Sequence, residues 1–373
     1  MRQPGAGAGS NIAIKLTNSL RFFGFVGYQT YGRNSIMALP HLTPERSYAA
    51  IRENAAAYLR PVEALTISGM DRIALVSWLL PKSTEYAQPG TAVESLVLNR
   101  DGSVAGMAIA IIGDDEVTIL CEAPAPLAPT AAEGAAELGL DAVTIGSAAL
   151  AAVAVEGPLS WLAVDDLLAD PIADVLLWEW REASFDGAAC RLIRTGTTAE
   201  YGYLVVIGAE HQAALLSALG EAAAAAGGGI AEPTSLERAR AEVNHPVLPA
   251  QTAGLSVFEA GVQWCMTLNR DEDYLGRAGL SFDAPARRTI ACVAPDADAP
   301  PVGTPVCDGD RELGHVQVSL PRLGERGGYA LAVLDADCAV PGLLLTAGGV
   351  ALHTVSRPAI DPRSWAQQIG ERE

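Results

Sequence analysis

Between Ala92 and Cys121 three apolar runs are cut by two tight turns. Ala92–Leu98 and Ser103–Ile112 flank Asn99-Arg100-Asp101-Gly102, and Gly113-Asp114-Asp115 leads into Val117–Cys121. Short runs closed by Asn, Asp and Gly fold back on their neighbours, so this stretch predicts an antiparallel meander. The preceding residues predict helices to cover it. One begins at Pro44-Glu45 and continues through Arg52 to about Tyr58. After a strand at Val62–Ser68, a second runs over Met70–Leu80, with Ile73, Leu75, Val76, Leu79 and Leu80 as its apolar content.

Beyond the meander the pattern mixes both element types. A helix is expected near 130–138, a strand at Ala149–Val155 and a helix at 159–168. Strands follow near 176–183, 188–194 and 201–207. The Ala-rich run Glu210–Ala226, closed by Gly227-Gly228-Gly229, predicts a helix, and Glu237–Val243 a shorter one. The last 90 or so residues alternate strand-like runs (289–293, 313–319, 329–334, 342–346, 350–356) with Pro, Gly and Asp turns, which reads as a compact all-β module. The expected class is α+β. At the other end, residues 20–40 hold an aromatic cluster (Phe22, Phe23, Phe25, Tyr28, Tyr31) interleaved with Gly24, Gly27 and Gly32. These rings either plug a core or line a pocket.

Charge narrows the partners. With 25 Lys and Arg against 44 Asp and Glu the formal charge is −19. Nucleic acid and anionic membranes demand a basic face, so neither is an expected partner. Lys15 and Lys82 are the only lysines, which leaves arginine to grip carboxylates or rings. Six scattered cysteines without C-x-x-C, and five histidines without metal spacing, predict no metal site and no disulfide framework. No run of 18 apolar residues appears, and the N-terminus has no secretory h-region, so a cytoplasmic protein is expected.

Several segments, in order, resemble the glycine cleavage T-protein superfamily of folate-dependent one-carbon transferases. Leu65–Asp71 resembles its V-x-G-P-D-A segment. Pro89-Gly90 with Leu98–Gly102 is similar to P-G…L-N-x-x-G-G, and Val155–Pro158 to L-Q-G-P. Arg194–Tyr203 resembles R-T-G-Y-T-G-E-x-G-[FY], and Arg240-Ala241-Glu242 matches R-L-E. Glu259-Ala260-Gly261…Trp264…Asn269–Arg277 is similar to E-A-G-L-x-W…K-x-D-F-I-G-R. Asp308-Gly309…Leu313–Val316 and Ile360-Asp361-Pro362 fit the C-terminal module. The resemblance covers residues 60–362 and fits the first 40 poorly. It implies a three-domain cloverleaf around a central folate funnel. The implied domains are a discontinuous folate-binding domain (1–60 plus 150–284), an inserted meander domain (61–149) and a β-barrel-like C-terminal domain (285–373).

The resemblance also implies tetrahydrofolate as cofactor and a small-molecule substrate. By residue type alone Glu200 reads as a solvated strand-end acid. The motif places it as the pterin ligand, since a carboxylate accepts adjacent pterin N–H donors. Arg240 is either an interdomain ion-pair member or a folate contact. Trp264 is a core ring or a flat face for folate, and Tyr203 packs or binds beside Glu200. One departure bears on the chemistry. Where aminomethyltransferases carry paired aspartates after the hairpin, this chain has Gly106-Met107. The candidate catalytic groups are then Tyr28 and Tyr31 as proton donors, with Glu94 and Asp101 as substitute acids, and Glu122 nearby. The leading expectation is a tetrahydrofolate-dependent methyltransferase or demethylase acting on a small O-, S- or N-methyl compound. The alternatives are an aminomethyltransferase working with a lipoyl carrier protein, or a non-catalytic folate-binding accessory protein. Such carriers are generally acidic, which disfavours one as partner of a chain at −19. The accessory branch carries K-G-C-Y-x-G-Q, whereas the corresponding run here, Asn269–Arg277, has no Cys.

Overall fold

The computed structural model describes residues 41–123 and 126–370. Helix α1 (Pro44–Glu53) starts on Thr43, whose side chain accepts the Arg46 N–H, with Pro44 in the first turn. Strand β1 (Ala56–Arg60) follows at once, then β2 (Glu63–Ser68), α2 (Arg72–Leu79), β3 (Ala92–Leu98), β4 (Val104–Ile112), β5 (Glu116–Glu122), α3 (Leu127–Leu138) and β6 (Thr144–Ala148). The chain returns through β7 (Leu150–Glu156), β8 (Trp180–Phe185), β9 (Ala188–Arg194), β10 (Gly202–Gly208), α4 (Gln212–Ala225), β11 (Gly229–Ile230) and α5 (Pro233–Glu242). The short α6 (Val257–Ala260) precedes β12 (Arg287–Ala294), β13 (Pro305–Asp308), β14 (Arg311–Leu320), β15 (Gly328–Asp335), β16 (Leu344–Ala347) and β17 (Val350–Val355).

These strands make three sheets. One has the order β11-β1-β7-β10-β9-β8, the second β3-β4-β5-β2-β6, and β12 to β17 close into a barrel. The expected meander is present, and the α+β class holds. The first sheet is buried on both faces. Ala55, Ala57, Val153, Val155, Tyr203 and Val205 pack with Leu215 and Leu219 of α4. Ala56, Tyr58, Ala152, Ala154 and Leu204 pack with Tyr48 and Ile51 of α1, and with Ile109, Ile111 and Leu120 of the second sheet. The two sheets therefore share a core.

Some elements differ from expectation. The helix expected to reach Tyr58 stops at Glu53, and Tyr58 lies in β1 opposite Ala154. Residues 159–168 form two short 3-10 turns, Ser160–Ala163 and Asp165–Leu167, in place of one helix. Strands β6, β11 and β13 carry little periodic signal of their own. The 99–102 turn is closed by Gly102 at φ +81, and a Cβ there would come 2.7 Å from the Gly279 backbone. The hairpin tip thus docks against the segment after α6.

Candidate active site

A cavity of about 370 Å³ opens where the first two sheets meet the end of α5. Arg60 enters it from the last position of β1, Gly106 and Met107 from β4, Glu122 from β5, Arg240 from α5, and His245 from the loop beyond. Pro246 and Leu248 add apolar wall. The Arg60 Nε donates to Glu122 Oε1 at 2.5 Å, joining the two sheets at the cavity wall.

His245 is aimed by the way α5 ends. Asn244 takes the left-handed conformation at φ +67, and the His245 N–H returns to the Arg240 carbonyl at 3.0 Å. The ring then lies 3.4 Å, Nε2 to Oε1, from Glu94 on β3. Both side chains are less than one-tenth exposed. Burial works to raise the Glu94 carboxyl, but His245, Arg60 and Arg240 outweigh it and hold it below the usual carboxylate range. The His245 Nδ1 has no hydrogen-bond partner among the described residues. Trp264 meets the imidazole edge-on, with centroids 6.3 Å apart.

A second buried network supports Arg240. Its Nε donates to Thr197 Oγ1 at 3.0 Å, and its guanidinium lies over the Tyr58 ring. Thr197 and Thr198 both give their N–H and hydroxyl to Glu156, at 2.6–2.9 Å, and the Tyr58 hydroxyl adds a fifth bond. Ala199 in this loop sits at φ +62, where the resembling motif carries Gly.

The structure brings only some of the expected site residues to the cavity. Arg240 lines it; Glu94 and Trp264 do not, though both meet His245, which does, and Trp264 is 43% exposed. Glu200 is elsewhere: its carboxylate accepts the N–H groups of Arg363 and Ser364 and the Ser364 hydroxyl, with Arg52 at 3.5 Å. Tyr203 is fully buried against α4 on the other face of the sheet. Asp101 is exposed at the hairpin tip and accepts from Ser103. Tyr28 and Tyr31 lie outside the described residues. Sequence reasoning missed His245 and Arg60. A lone histidine with no spacing pattern gives no signal, and its partner Glu94 is 151 residues away.

Position 106 explains the missing aspartate. A Cβ at Gly106 would come 2.2 Å from the Glu122 carbonyl and 2.8 Å from the Ala123 Cβ. Strand β5 approaches too closely for any side chain there. Its own Glu122, in register with Met107, supplies the carboxylate on that wall.

Among the described residues no helix is long and apolar enough to cross a membrane, and no group of three or more His, Cys, Asp or Glu could hold a metal ion. Residues 31–270 match the family model for the GCVT N-terminal domain. The chain is 26% identical over 334 residues to an aminomethyltransferase of Streptomyces avermitilis, covering 86% of this chain and 89% of the relative. It is 28% identical over 259 residues to one of Mycobacterium bovis, covering 68% and 69%. The glycine cleavage system aminomethyltransferase T of Bartonella henselae superposes with a TM-score of 0.73 over 86% of this chain and 90% of that one, at 17% identity, which carries the fold. With the family model spanning well over half of the residues, the order of strands and the closed C-terminal barrel, the chain belongs to the glycine cleavage T-protein superfamily of folate-dependent, aminomethyltransferase-type enzymes.

Proposed function

We propose that the cavity between β4, β5 and α5 binds tetrahydrofolate and that the chain moves a one-carbon unit from a small O-, S- or N-methyl compound. The volume of about 370 Å³ lies in the range of small-molecule sites. The donor set suits the cofactor: Glu122, held by Arg60, offers a carboxylate to pterin N–H groups, Arg240 offers a guanidinium to its carboxylates, and Met107, Pro246 and Leu248 offer apolar contact. Tetrahydrofolate supplies, when bound, the ring nitrogen that takes the carbon. The chain's residues align the donor and keep water out, gaining mainly from proximity.

The observation that carries this reading is the β4 wall. Gly106 and Met107 present no acid, and position 106 has no room for one. Release of ammonia from an aminomethyl group then lacks its usual helper, whereas methyl transfer needs only alignment and a proton for the leaving atom. A second reading, aminomethyl transfer with a lipoyl carrier protein, is favoured by the names of the curated relatives. Glu122 would be its acid, moved by one strand. Incubation with tetrahydrofolate and a panel of methoxy, methylthio and N-methyl compounds, read by mass for 5-methyltetrahydrofolate, tests the first reading. Turnover of an aminomethylated carrier, with none on any methyl donor, replaces it by the second.

A further inference from the structure

We propose that a second cavity, between the first two sheets, binds an α-amino acid with an aliphatic side chain. Ala64 and Leu120 of the second sheet meet Ile193 and Leu204 of the first in their shared core. Alternate residues of a strand share a face, so the next residues facing the other sheet are Thr66 and Thr118 on one side, Arg191 and Val206 on the other. Threonine and arginine do not extend an apolar core, and here the sheets part around a cavity of about 590 Å³. That volume lies in the range of small-molecule sites. The cavity shares no lining residue with the first one, so the proposal stands apart from the one-carbon reading.

The charged side chains lining this cavity are Arg191, Glu116 and Glu182. Arg191 is held in place: its Nη1 donates to Thr118 Oγ1 at 2.8 Å, and its guanidinium stands 5.3 Å from the centroid of the Trp180 ring. That engages little of a group with five N–H donors. Its Nε and Nη2 have no partner among the described residues, and neither atom is enclosed. Among those residues no carboxylate comes within 4.0 Å of it, although Glu182 is its cross-strand neighbour on β8. The gap suits a ligand that carries both charges. A carboxylate fits the open edge of the Arg191 guanidinium, and an ammonium group fits Glu182 and Glu116, the first residue of β5. Leu150 and Val206 offer apolar wall to an aliphatic side chain. A simple anion would face two carboxylates, and a simple amine would face the guanidinium. Only a zwitterion answers both.

The test is calorimetric titration of the full chain with L-valine, L-leucine and L-isoleucine. At least one should saturate, with a Kd below about 1 mM. For L-leucine the half-charged analogues are 4-methylpentanoate, which lacks the ammonium, and 3-methylbutylamine, which lacks the carboxylate. Both should bind at least about tenfold more weakly, the loss of one charge-assisted contact. Arg191→Gln should weaken L-leucine by a similar factor. Because Arg191 also ties the two sheets, a second variant guards against misfolding. Glu182→Lys changes an exposed residue at the edge of the first sheet, puts a cation where the ammonium belongs, and should abolish binding. Saturating tetrahydrofolate should leave L-leucine affinity within about twofold, since the two cavities are separate. The inference is overturned if none of the three amino acids saturates, or if 4-methylpentanoate or 3-methylbutylamine binds as tightly as L-leucine. Parental affinity in either folded variant overturns it too, and displacement of L-leucine by tetrahydrofolate would assign the binding to the first cavity instead.

Discussion

At residue scale the two most informative positions are a glycine and a glutamate. Gly106→Asp would recreate the acid of the resembling motif in a place where β5 leaves no space. It should destabilise the chain by about 1–3 kcal/mol, the usual cost of overpacking, and confer no carrier-dependent activity. Thermal melting and the carrier assay check this together. Glu156 accepts five hydrogen bonds in a fully buried site. Burial works to raise its carboxyl, but the bonds from Thr198, Tyr58 and Thr197 and the charge of Arg240 outweigh it and hold it below the normal range. Its contribution is therefore complete above the unfolded value of about 4.3 and lost as pH falls through the lower folded value. Glu156→Gln should cost about 3 kcal/mol at neutral pH, since an amide donor then faces other donors. Urea melts at pH 7 and pH 3 should show the difference between parent and variant shrinking in acid. The resembling motifs located Arg240 and the strand bearing Glu94, because those positions carry recognisable neighbours. They did not disclose His245, whose environment exists only once the α5 loop and β3 meet. Of the two readings open for Tyr203 the structure shows the packed one: in β10, period two sends it to the α4 face while Leu204 faces the other sheet.

At the scale of elements the meander was legible almost to the residue, because its turns carry Asn, Asp and Gly. Strand β1 was not. Its Ala55-Ala56-Ala57 run has the composition of a helix, yet the three side chains alternate between the two cores. The neighbouring chain comes close on one edge: a Cβ on Gly228, beside β11, would sit 1.6 Å from the Ala55 carbonyl. Tertiary contact thus overrides propensity. The segment after the barrel, with its short turn at Arg363–Trp365, is held in a comparable way. It meets Glu200 through two N–H groups and a hydroxyl, and the Tyr201 N–H donates to Ser364 Oγ at 2.7 Å. Glu200→Gln should release it. Limited proteolysis is expected to cut near residue 360 several-fold faster in the variant, while folate affinity stays near the parent's. A large loss of affinity with unchanged proteolysis would return Glu200 to the pterin role that its motif implies.

At the scale of the whole molecule, arginine fastens the sheets to one another. Arg238 donates to the Gly327 carbonyl at 3.0 Å and lies over Tyr329 of the barrel. Arg270 donates to the carbonyls of Leu80 and Ser77 beside α2 at 2.7–2.8 Å. These cations are few against 44 acids, and the charge of −19 repels itself. Raising sodium chloride from 10 to ~150 mM shortens the screening length to about 8 Å and should lift the melting temperature by about 2–4 °C. A fall would mean that the ion pairs outweigh the repulsion. The nested order of the sheets has a consequence of another kind. Strand β1 ends at Arg60, but its neighbours β7 and β11 begin only at Leu150 and Gly229. At about 5–20 residues per second, a ribosome holds β1 with both edges bare for on the order of ten seconds, while the excursion from β2 to β6 emerges and can close on itself. Bare edges recruit foreign strands. The hazard of aggregation is thus greatest during translation, between residues 60 and 156; β7 then covers one edge of β1, and the other waits for β11 at Gly229–Ile230.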